Sequence, residues 1–82
     1  MTIKFPLNTE KSIRLMESQN TLVFVVDTKA TKPVIKDAVE KAFNVKVKNV
    51  RTHRSLQGVK RAYVSLKPES PAIDVATKLG MM

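Results

Sequence analysis

Hydrophobic residues along this chain follow strand and helix periods in turn. Residues 21–27 have the sequence Thr-Leu-Val-Phe-Val-Val-Asp, a continuous apolar run of β-branched and aromatic side chains. Such a run is typical of a strand that is covered on both faces. Residues 2–5 can add a short edge strand before it. The pattern therefore predicts a sheet with packing elements on each side.

Two helices are predicted around this strand. The first begins after Thr9, whose hydroxyl can cap the free amides of the first turn, runs to about Ser18 and is closed by Asn20. Its inward face is short and consists of Ile13 and Met16, with help from Leu15. The second helix spans residues 31–43, with a threonine cap and Pro33 in its first turn. Its apolar stripe is Val34, Ile35, Ala38, Val39, Ala42 and Phe43.

A β-hairpin is predicted in the second half of the chain. Residues 45–54 begin as a strand, but their apolar positions shift phase at Val50. One extra residue explains the shift, so we expect a bulge near Lys48 and Asn49. Leu56, Gln57 and Gly58 form the tip, since glycine tolerates positive φ. The return strand runs to about Lys67, with Ala62, Val64 and Leu66 on its apolar face and Arg61, Tyr63, Ser65 and Lys67 on its polar face.

The last predicted helix follows the break made by two prolines. Ser70 is expected to be its cap and Pro71 its first helical residue, and Gly80 is expected to end it. The inward stripe of this helix is predicted to be Ile73, Ala76 and Leu79.

The element order predicts the fold class. Helix, strand, helix, strand, strand, helix, with the middle helix as a crossover, gives an α/β (α+β) fold. We expect a small sandwich of a mainly antiparallel sheet with helices on both faces, with a ferredoxin-like split β-α-β arrangement. At 82 residues without an internal repeat or linker, the chain is predicted to form one domain over residues 1–82.

The charge of the chain is concentrated in the hairpin. Fifteen Lys and Arg against seven Asp and Glu give a net charge of +8, which favours a polyanionic partner. Residues 45–61 contain six basic residues and no acidic one. Like charges facing each other across a hairpin repel, so a one-signed hairpin indicates a partner that neutralises it. The alternative is a solubilising basic edge that blocks edge-to-edge pairing.

The candidate site is therefore a nucleic-acid interface. Arginine forks suit phosphate oxygens, and the only tyrosine offers a ring on which a base or ribose can lie. RNA is preferred over DNA because no recognition-helix pattern is present, although charge alone does not separate the two. The predicted RNA-binding residues are Lys11, Lys36, Lys46, Lys48, Asn49, Arg51, Thr52, His53, Arg54, Gln57, Lys60, Arg61 and Tyr63.

Several other functions are disfavoured by composition. The chain has no cysteine, and His53 is its only histidine, so neither a metal site nor a catalytic triad is expected. Two glycines do not build a phosphate-binding loop. We expect no enzyme activity and no cofactor. With no membrane span and no signal peptide in the sequence, a cytoplasmic location is predicted.

Three sequence segments in and around the hairpin resemble a known family. They are Thr-Glu-Lys-Ser at residues 9–12, the ungapped block at residues 31–52 and Lys-Arg-Ala-Tyr-Val-Ser-Leu-Lys at residues 60–67. Together they resemble the family of large-subunit ribosomal protein twenty-three over nearly the whole chain. The short hairpin tip and the absence of a basic amino-terminal extension resemble its archaeal members.

The resemblance implies a location and partners. It implies an α/β/α sandwich on ribosomal RNA at the rim of the polypeptide exit tunnel, beside neighbouring large-subunit proteins and as a monomer within the ribosome. It also implies a platform for factors that meet nascent chains, such as the signal recognition particle. Glu10 occupies the place of the acidic residue that docks a chaperone in bacterial members.

Two other classes of protein are alternatives to this hypothesis. One is a free-standing regulatory RNA-binding module, although the aromatic-rich strand motif of such modules is missing. The other is a catalytic or small-molecule-binding domain, which requires a pocket with convergent polar groups.

Overall fold

A computed structural model describes residues 2–79 as four antiparallel strands and three helices. In chain order these are β1 (Ile3–Pro6), α1 (Glu10–Gln19), β2 (Thr21–Val26), α2 (Lys32–Phe43), β3 (Val47–Arg54), β4 (Lys60–Leu66) and α3 (Ala72–Lys78). The strands lie in the order β1-β2-β4-β3. Strand β4 therefore separates β2 and β3, which α2 connects, as the split β-α-β prediction requires. The expected α+β class is confirmed. The edge strand β1 comes before the first helix, ahead of the six elements in the predicted order.

The two faces of the sheet are covered by different helices. Alternation along β2 sends Leu22, Phe24 and Val26 to one face and Val23 and Val25 to the other. The ring of Phe24 stacks on Phe43 of α2 with 5.6 Å between centroids, so this is the α2-side face. Val23 borders a groove that α1 also lines, so the opposite face is the α1-side face.

The main core lies between the α2-side face and helices α2 and α3. All six residues of β2 are buried, as the continuous apolar run predicted. In α2, Ile35 and Val39 are completely buried and belong to one cluster with Ala62 and Val64 of β4. Val34, which was expected in the stripe, is 48% exposed because it lies to the side of the helix face centred on Ile35 and Val39.

Helix α1 is capped as the sequence predicted. The Thr9 hydroxyl accepts from the Ser12 backbone N–H, and the Ser12 hydroxyl accepts from the Thr9 backbone N–H. The helix ends at Asn20, which adopts the left-handed conformation with φ 52°. Ser12 and Met16 are the buried residues of this helix, so the inward face begins one residue earlier than expected, and Ile13 is half-buried.

Asn20 also connects three distant segments through its side chain. Its amide nitrogen donates to the carbonyl oxygens of Leu66, the last residue of β4, and of Lys67 and Ser70, which follow that strand. Its amide oxygen accepts from the backbone N–H of Ala72, the first residue of α3. The cap acceptor of α3 is therefore supplied from the end of α1.

The predicted start of α3 is thus wrong by one residue. Pro71 is the N-cap and makes no side-chain capping bond, while the Ser70 hydroxyl accepts instead from the backbone N–H of Lys46. The residues that α3 buries are Ala72, Val75 and Ala76, and Ile73 is 45% exposed. Ala76 is buried as predicted and Leu79 packs against the core, whereas Ala72 and Val75 take the inward position that was expected for Ile73. The predicted stop at Gly80 lies outside the described residues.

The hairpin has the predicted irregularity and tip. Register between β3 and β4 shifts between Val47 and Asn49, so Lys48 is the extra residue of a bulge. The tip is closed by backbone bonds from the Ser55 N–H to the Val59 oxygen and from the Gly58 N–H to the Ser55 oxygen. Gly58 has φ 81°, a conformation that L side chains rarely adopt.

Candidate nucleic-acid interface

Strand pairing decides which face each hairpin residue occupies. Across β3 and β4 the partners are Asn49 with Ser65, Arg51 with Tyr63, and His53 with Arg61. Directly opposed residues share a face, and Tyr63 borders the same groove as Val23. These six residues therefore form a continuous polar surface on the α1-side face of the hairpin.

The cations of this surface are not neutralised by carboxylates. The ion pairs within residues 2–79 are Arg14 with Glu10 at 2.7 Å and Lys41 with Asp37 at 3.1 Å, both on exposed helix surfaces. Instead, the Arg51 guanidinium lies 5.9 Å from the centre of the Tyr63 ring, in cation–π geometry. The edges of the guanidinium remain available for a ligand.

A groove runs between α1 and β3 along this surface, and we call it the α1–β3 groove. One end has a volume of about 290 Å³ and is lined by Lys11 and Leu15 of α1, by Arg51 and His53 of β3, and by Tyr63. The other end has a volume of about 520 Å³, and it is also bordered by Pro71 and Ile73 at the start of α3. Its lining between α1 and the hairpin includes Met16, Gln19, Lys48, Asn49 and Ser65. Asn49 and Ser65 are the next pair along the same face after Arg51 and Tyr63, so the two ends are contiguous.

The α1 wall of the groove contains residues that the sequence analysis did not assign to a site. Leu15 was interpreted as part of the helix core, but it is half-buried and contributes to the groove on the Tyr63 side. Lys11, which was predicted, lies one helical turn before it. Helical spacing of four residues places Lys11 and Leu15 on one side of α1, and this spacing was visible in the sequence.

Two of the predicted basic residues face the opposite side of the sheet. Arg54 and Lys60 oppose each other at the end of the hairpin, one position out of phase with His53 and Arg61. An Arg54 guanidinium nitrogen donates to the Thr28 carbonyl at 3.0 Å. The Lys60 ammonium donates to the Ala30 carbonyl at 2.6 Å. Both cations thus bind the loop between β2 and α2.

That loop is itself ordered by a carboxylate. The Asp27 side chain accepts from the Lys29 backbone N–H at 3.0 Å, and the Asp27 backbone oxygen accepts from the Ala30 N–H. The hydrogen bond from Lys29 lowers the pKa of the Asp27 carboxyl from its ordinary value of 3.8. The turn presents the Thr28 and Ala30 carbonyls toward the hairpin.

The remaining predicted residues, apart from Thr52, are not gathered in the groove. Thr52 borders the Tyr63 end between Arg51 and His53, although its position opposite Ala62 directs its side chain to the other face. Lys36 is exposed on α2, which covers that other face of the sheet. Gln57 is exposed at the hairpin tip. Lys46 precedes β3, where its backbone oxygen accepts from the Lys67 N–H. The structure therefore brings together Lys11, Lys48, Asn49, Arg51, His53, Arg61 and Tyr63.

Glu10 lies beside the groove at the start of α1. It is exposed in the first helical turn, and its carboxylate pairs with Arg14 one turn later. Lys11, its neighbour in sequence, borders the groove. The predicted docking residue and the basic surface are thus adjacent but separate.

The described part of the chain contains no gathering of three or more His, Cys, Asp or Glu side chains that suits a metal ion. Among residues 2–79, no helix is both long enough and apolar enough to cross a membrane.

The fold and this surface define a class of protein: a small α+β domain with an unneutralised basic face on its hairpin. Residues 1–62 match the model of the family described as Ribosomal protein L23. The chain is also 45% identical over 80 residues to the large ribosomal subunit protein uL23 of Tetrahymena thermophila. That alignment covers 98% of the chain and 53% of the relative, so the chain spans about half the length of this relative.

The chain belongs to the ribosomal protein L23 family. This family consists of ribosomal proteins, a structural and non-enzymatic class. The family assignment confirms the resemblance given above and agrees with the predicted location on the cytoplasmic ribosome. The archaeal type stays a prediction.

Proposed function

We propose that this chain is a structural constituent of the large ribosomal subunit that binds ribosomal RNA through the α1-side face of its β3–β4 hairpin. The observation that carries this proposal is the convergence of Lys11, Arg51 and Arg61 on one face, with no carboxylate partner for them within residues 2–79. Family membership supports the choice of ribosomal RNA as the polyanion.

Phosphate contacts supply most of the affinity in this proposal. Arg51 and Arg61 each present a planar fork of donors that matches phosphate oxygens, and Lys11 adds a point charge from α1. His53 adds a polar ring between the two arginines. Because the strands and α1 are rigid elements, these donors are held in place before RNA arrives.

The finer location follows from the family resemblance and belongs to the same proposal. We place the protein at the rim of the polypeptide exit tunnel, as a monomer beside other large-subunit proteins. Glu10 is exposed next to the RNA face, so a nascent-chain factor such as the signal recognition particle has access to it when RNA covers the hairpin. Replacing Glu10 with Lys is expected to weaken docking of that factor without changing RNA binding.

The test of the RNA-binding face is the salt dependence of binding to large-subunit ribosomal RNA. The variant Arg51→Ala with Arg61→Ala is expected to lower the salt slope by roughly 0.7 to 0.9 for each lost phosphate contact. The matched control, Lys32→Ala with Lys36→Ala, removes the same two charges from α2 and is expected to keep the slope. An unchanged slope in the arginine variant, or an equal loss in the control, contradicts the assigned face.

A free-standing regulatory RNA-binding module is the second candidate, and sedimentation separates the two. We expect the chain to sediment with large ribosomal subunits in cell extract at physiological salt. Recovery only in the slow fractions, with RNA binding intact, favours the free module.

A further inference from the structure

The α1–β3 groove has two chemically different ends. At the Tyr63 end, the guanidinium of Arg51 lies over the aromatic ring, and Leu15 forms the opposite wall. The Asn49 end combines apolar side chains, among them Met16 and Ile73, with polar ones, and its Ser65 hydroxyl lies 3.1 Å from that of Thr21. The first end offers stacking surfaces, and the second adds hydrogen-bonding groups.

The Tyr63 end suits an unstacked base. Arginine planes and aromatic rings are the platforms on which proteins stack single-stranded bases. Here the two are already layered, and the space beside them has a volume of about 290 Å³. A paired base in a duplex does not expose its face, so it cannot use this platform unless it leaves the stack.

The Asn49 end suits the recognition of a base edge. The Asn49 amide is exposed and makes no hydrogen bond to any of residues 2–79, although its backbone is fixed in β3 beside the bulge. A free asparagine amide offers one donor and one acceptor, the pattern that matches the N6 and N7 positions of adenine. Lys48 at the bulge supplies a cation for the adjoining phosphate.

The length of the groove limits how much RNA it holds. From Asn49 to His53 the strand advances four residues, about 13 Å at roughly 3.3 Å per residue. From Lys11 to Gln19 the helix advances eight residues, about 12 Å at roughly 1.5 Å per residue. A strand that is stacked advances about 3.4 Å per nucleotide, and an unstacked one about twice that. Two unstacked nucleotides therefore fill the groove.

We infer that the α1–β3 groove holds two successive unpaired nucleotides of RNA, one stacked on the Arg51–Tyr63 pair and one, an adenosine, hydrogen-bonded to Asn49. This inference rests on the proposed function, since it takes RNA as the ligand of the basic face. It adds the state of the RNA, unpaired, and a base preference set by one residue.

Tyr63 provides the direct readout. It is the only tyrosine in a chain without tryptophan, so tyrosine emission of the whole chain reports on this ring alone. The probes are hexa-adenylate, hexa-uridylate and a 12-base-pair RNA duplex, with free N-acetyl-tyrosinamide as the control for absorption of the exciting light. Both hexamers are expected to quench the emission, whereas the duplex binds without quenching. Equal quenching by the duplex, or binding of the hexamers without quenching, overturns the inference.

Variants separate stacking from base recognition. Tyr63→Ala is expected to weaken hexamer binding about fivefold or more with an unchanged salt slope, and Tyr63→Phe to retain the affinity. Asn49→Ala is expected to abolish the preference for hexa-adenylate over hexa-uridylate, while Gln57→Ala, at the hairpin tip, keeps it. A preference that survives in Asn49→Ala contradicts the role of Asn49.

Failure of this inference is distinguishable from failure of the proposed function. If the salt slope on ribosomal RNA still depends on Arg51 and Arg61 while Tyr63 emission is insensitive to the hexamers, the basic face binds RNA and the groove does not hold bases. If the slope does not depend on the two arginines, the proposed function itself fails.

Discussion

The two faces of the β3–β4 hairpin carry the same kinds of basic side chain and use them differently. On the α1-side face, Arg51 and Arg61 have no carboxylate partner within the described residues and flank a groove. On the α2-side face, Arg54 and Lys60 donate to the carbonyls of Thr28 and Ala30. Positive charge on this hairpin thus borders an open groove on one face, where we propose that RNA binds, and attaches a loop on the other.

The comparison shows how a short strand separates two functions. Neighbouring side chains of a strand point to opposite faces, so a single step along β4 from Lys60 to Arg61 moves a cation from a structural role to the proposed binding role. A count of charges along the hairpin does not distinguish these roles. The register of the strands does.

The largest effect is expected from reversing the charge of Arg51 on the α1-side face. Arg51→Glu changes the charge at the groove by two units, and each unit is worth about 1 kcal/mol at roughly 4 Å in water. We expect ribosomal RNA affinity to fall about thirtyfold in a filter-binding titration at low salt. Arg54→Glu, three residues away in β3 with the same change in net charge, is the matched control.

If Arg54→Glu weakened RNA binding as much as Arg51→Glu, the distinction between the faces would be wrong. An effect of similar size in both variants at low salt, vanishing in both as salt rises, would indicate a response to net charge alone.

A smaller effect on stability, without an effect on RNA, is expected from Lys60→Met. Methionine keeps most of the length of the side chain but removes the ammonium that the half-buried Lys60 donates to the Ala30 carbonyl. Hydrogen bonds from charged groups contribute about 1.5 to 3 kcal/mol, and solvent access reduces this to roughly 1 to 2 kcal/mol here. Urea unfolding measures the loss, and the salt slope of RNA binding is expected to stay unchanged.

Lys67→Met serves as the control for removing an exposed lysine at the other end of β4. A stability loss in Lys67→Met equal to that in Lys60→Met would remove the special role of the Ala30 contact.

The smallest effect is expected from Asp27, which orders the loop that Arg54 and Lys60 contact. Because the hydrogen bond from the Lys29 N–H lowers the pKa of its carboxyl below 3.8, the ionised form is favoured in the folded state. This stabilisation is complete above the ordinary pKa and is lost as the pH falls through the lowered one. In thermal melts between pH 2 and 6, the melting temperature of Asp27→Asn is expected to fall less with decreasing pH than that of the parent. The same fall in both proteins contradicts this assignment.

Much of the fold was predictable because its signals are local. The apolar run of β2, the Thr9 cap and the phase shift at Val50 each specify an element or an irregularity within a few residues. The start of α3 was not predictable in the same way. Its first amide is bonded by Asn20, which lies 52 residues earlier in the chain, and no local pattern reports such a contact.

The candidate site was predicted as a segment but not as a surface. The apolar face of β4, Ala62, Val64 and Leu66, was recognised from alternation, and extending it by two residues places Lys60 on that face. Arg54 follows from its pairing with Lys60. The sequence showed that Lys11 and Leu15 share one side of α1, but not that this side lies beside β3, because the packing of α1 against the sheet decides that.

The side chain of Asn20 makes the carboxyl-terminal helix dependent on the rest of the molecule. Seven residues are too few for α3 to persist as a separate helix in water, and its first amide is held by Asn20, which also binds three carbonyls at and after the end of β4. Amide protons of α3 and β4 are therefore expected to exchange with solvent in one cooperative step. An RNA that stiffens the hairpin would slow exchange in α3 as well, since Pro71 and Ile73 at the start of this helix border the Asn49 end of the groove.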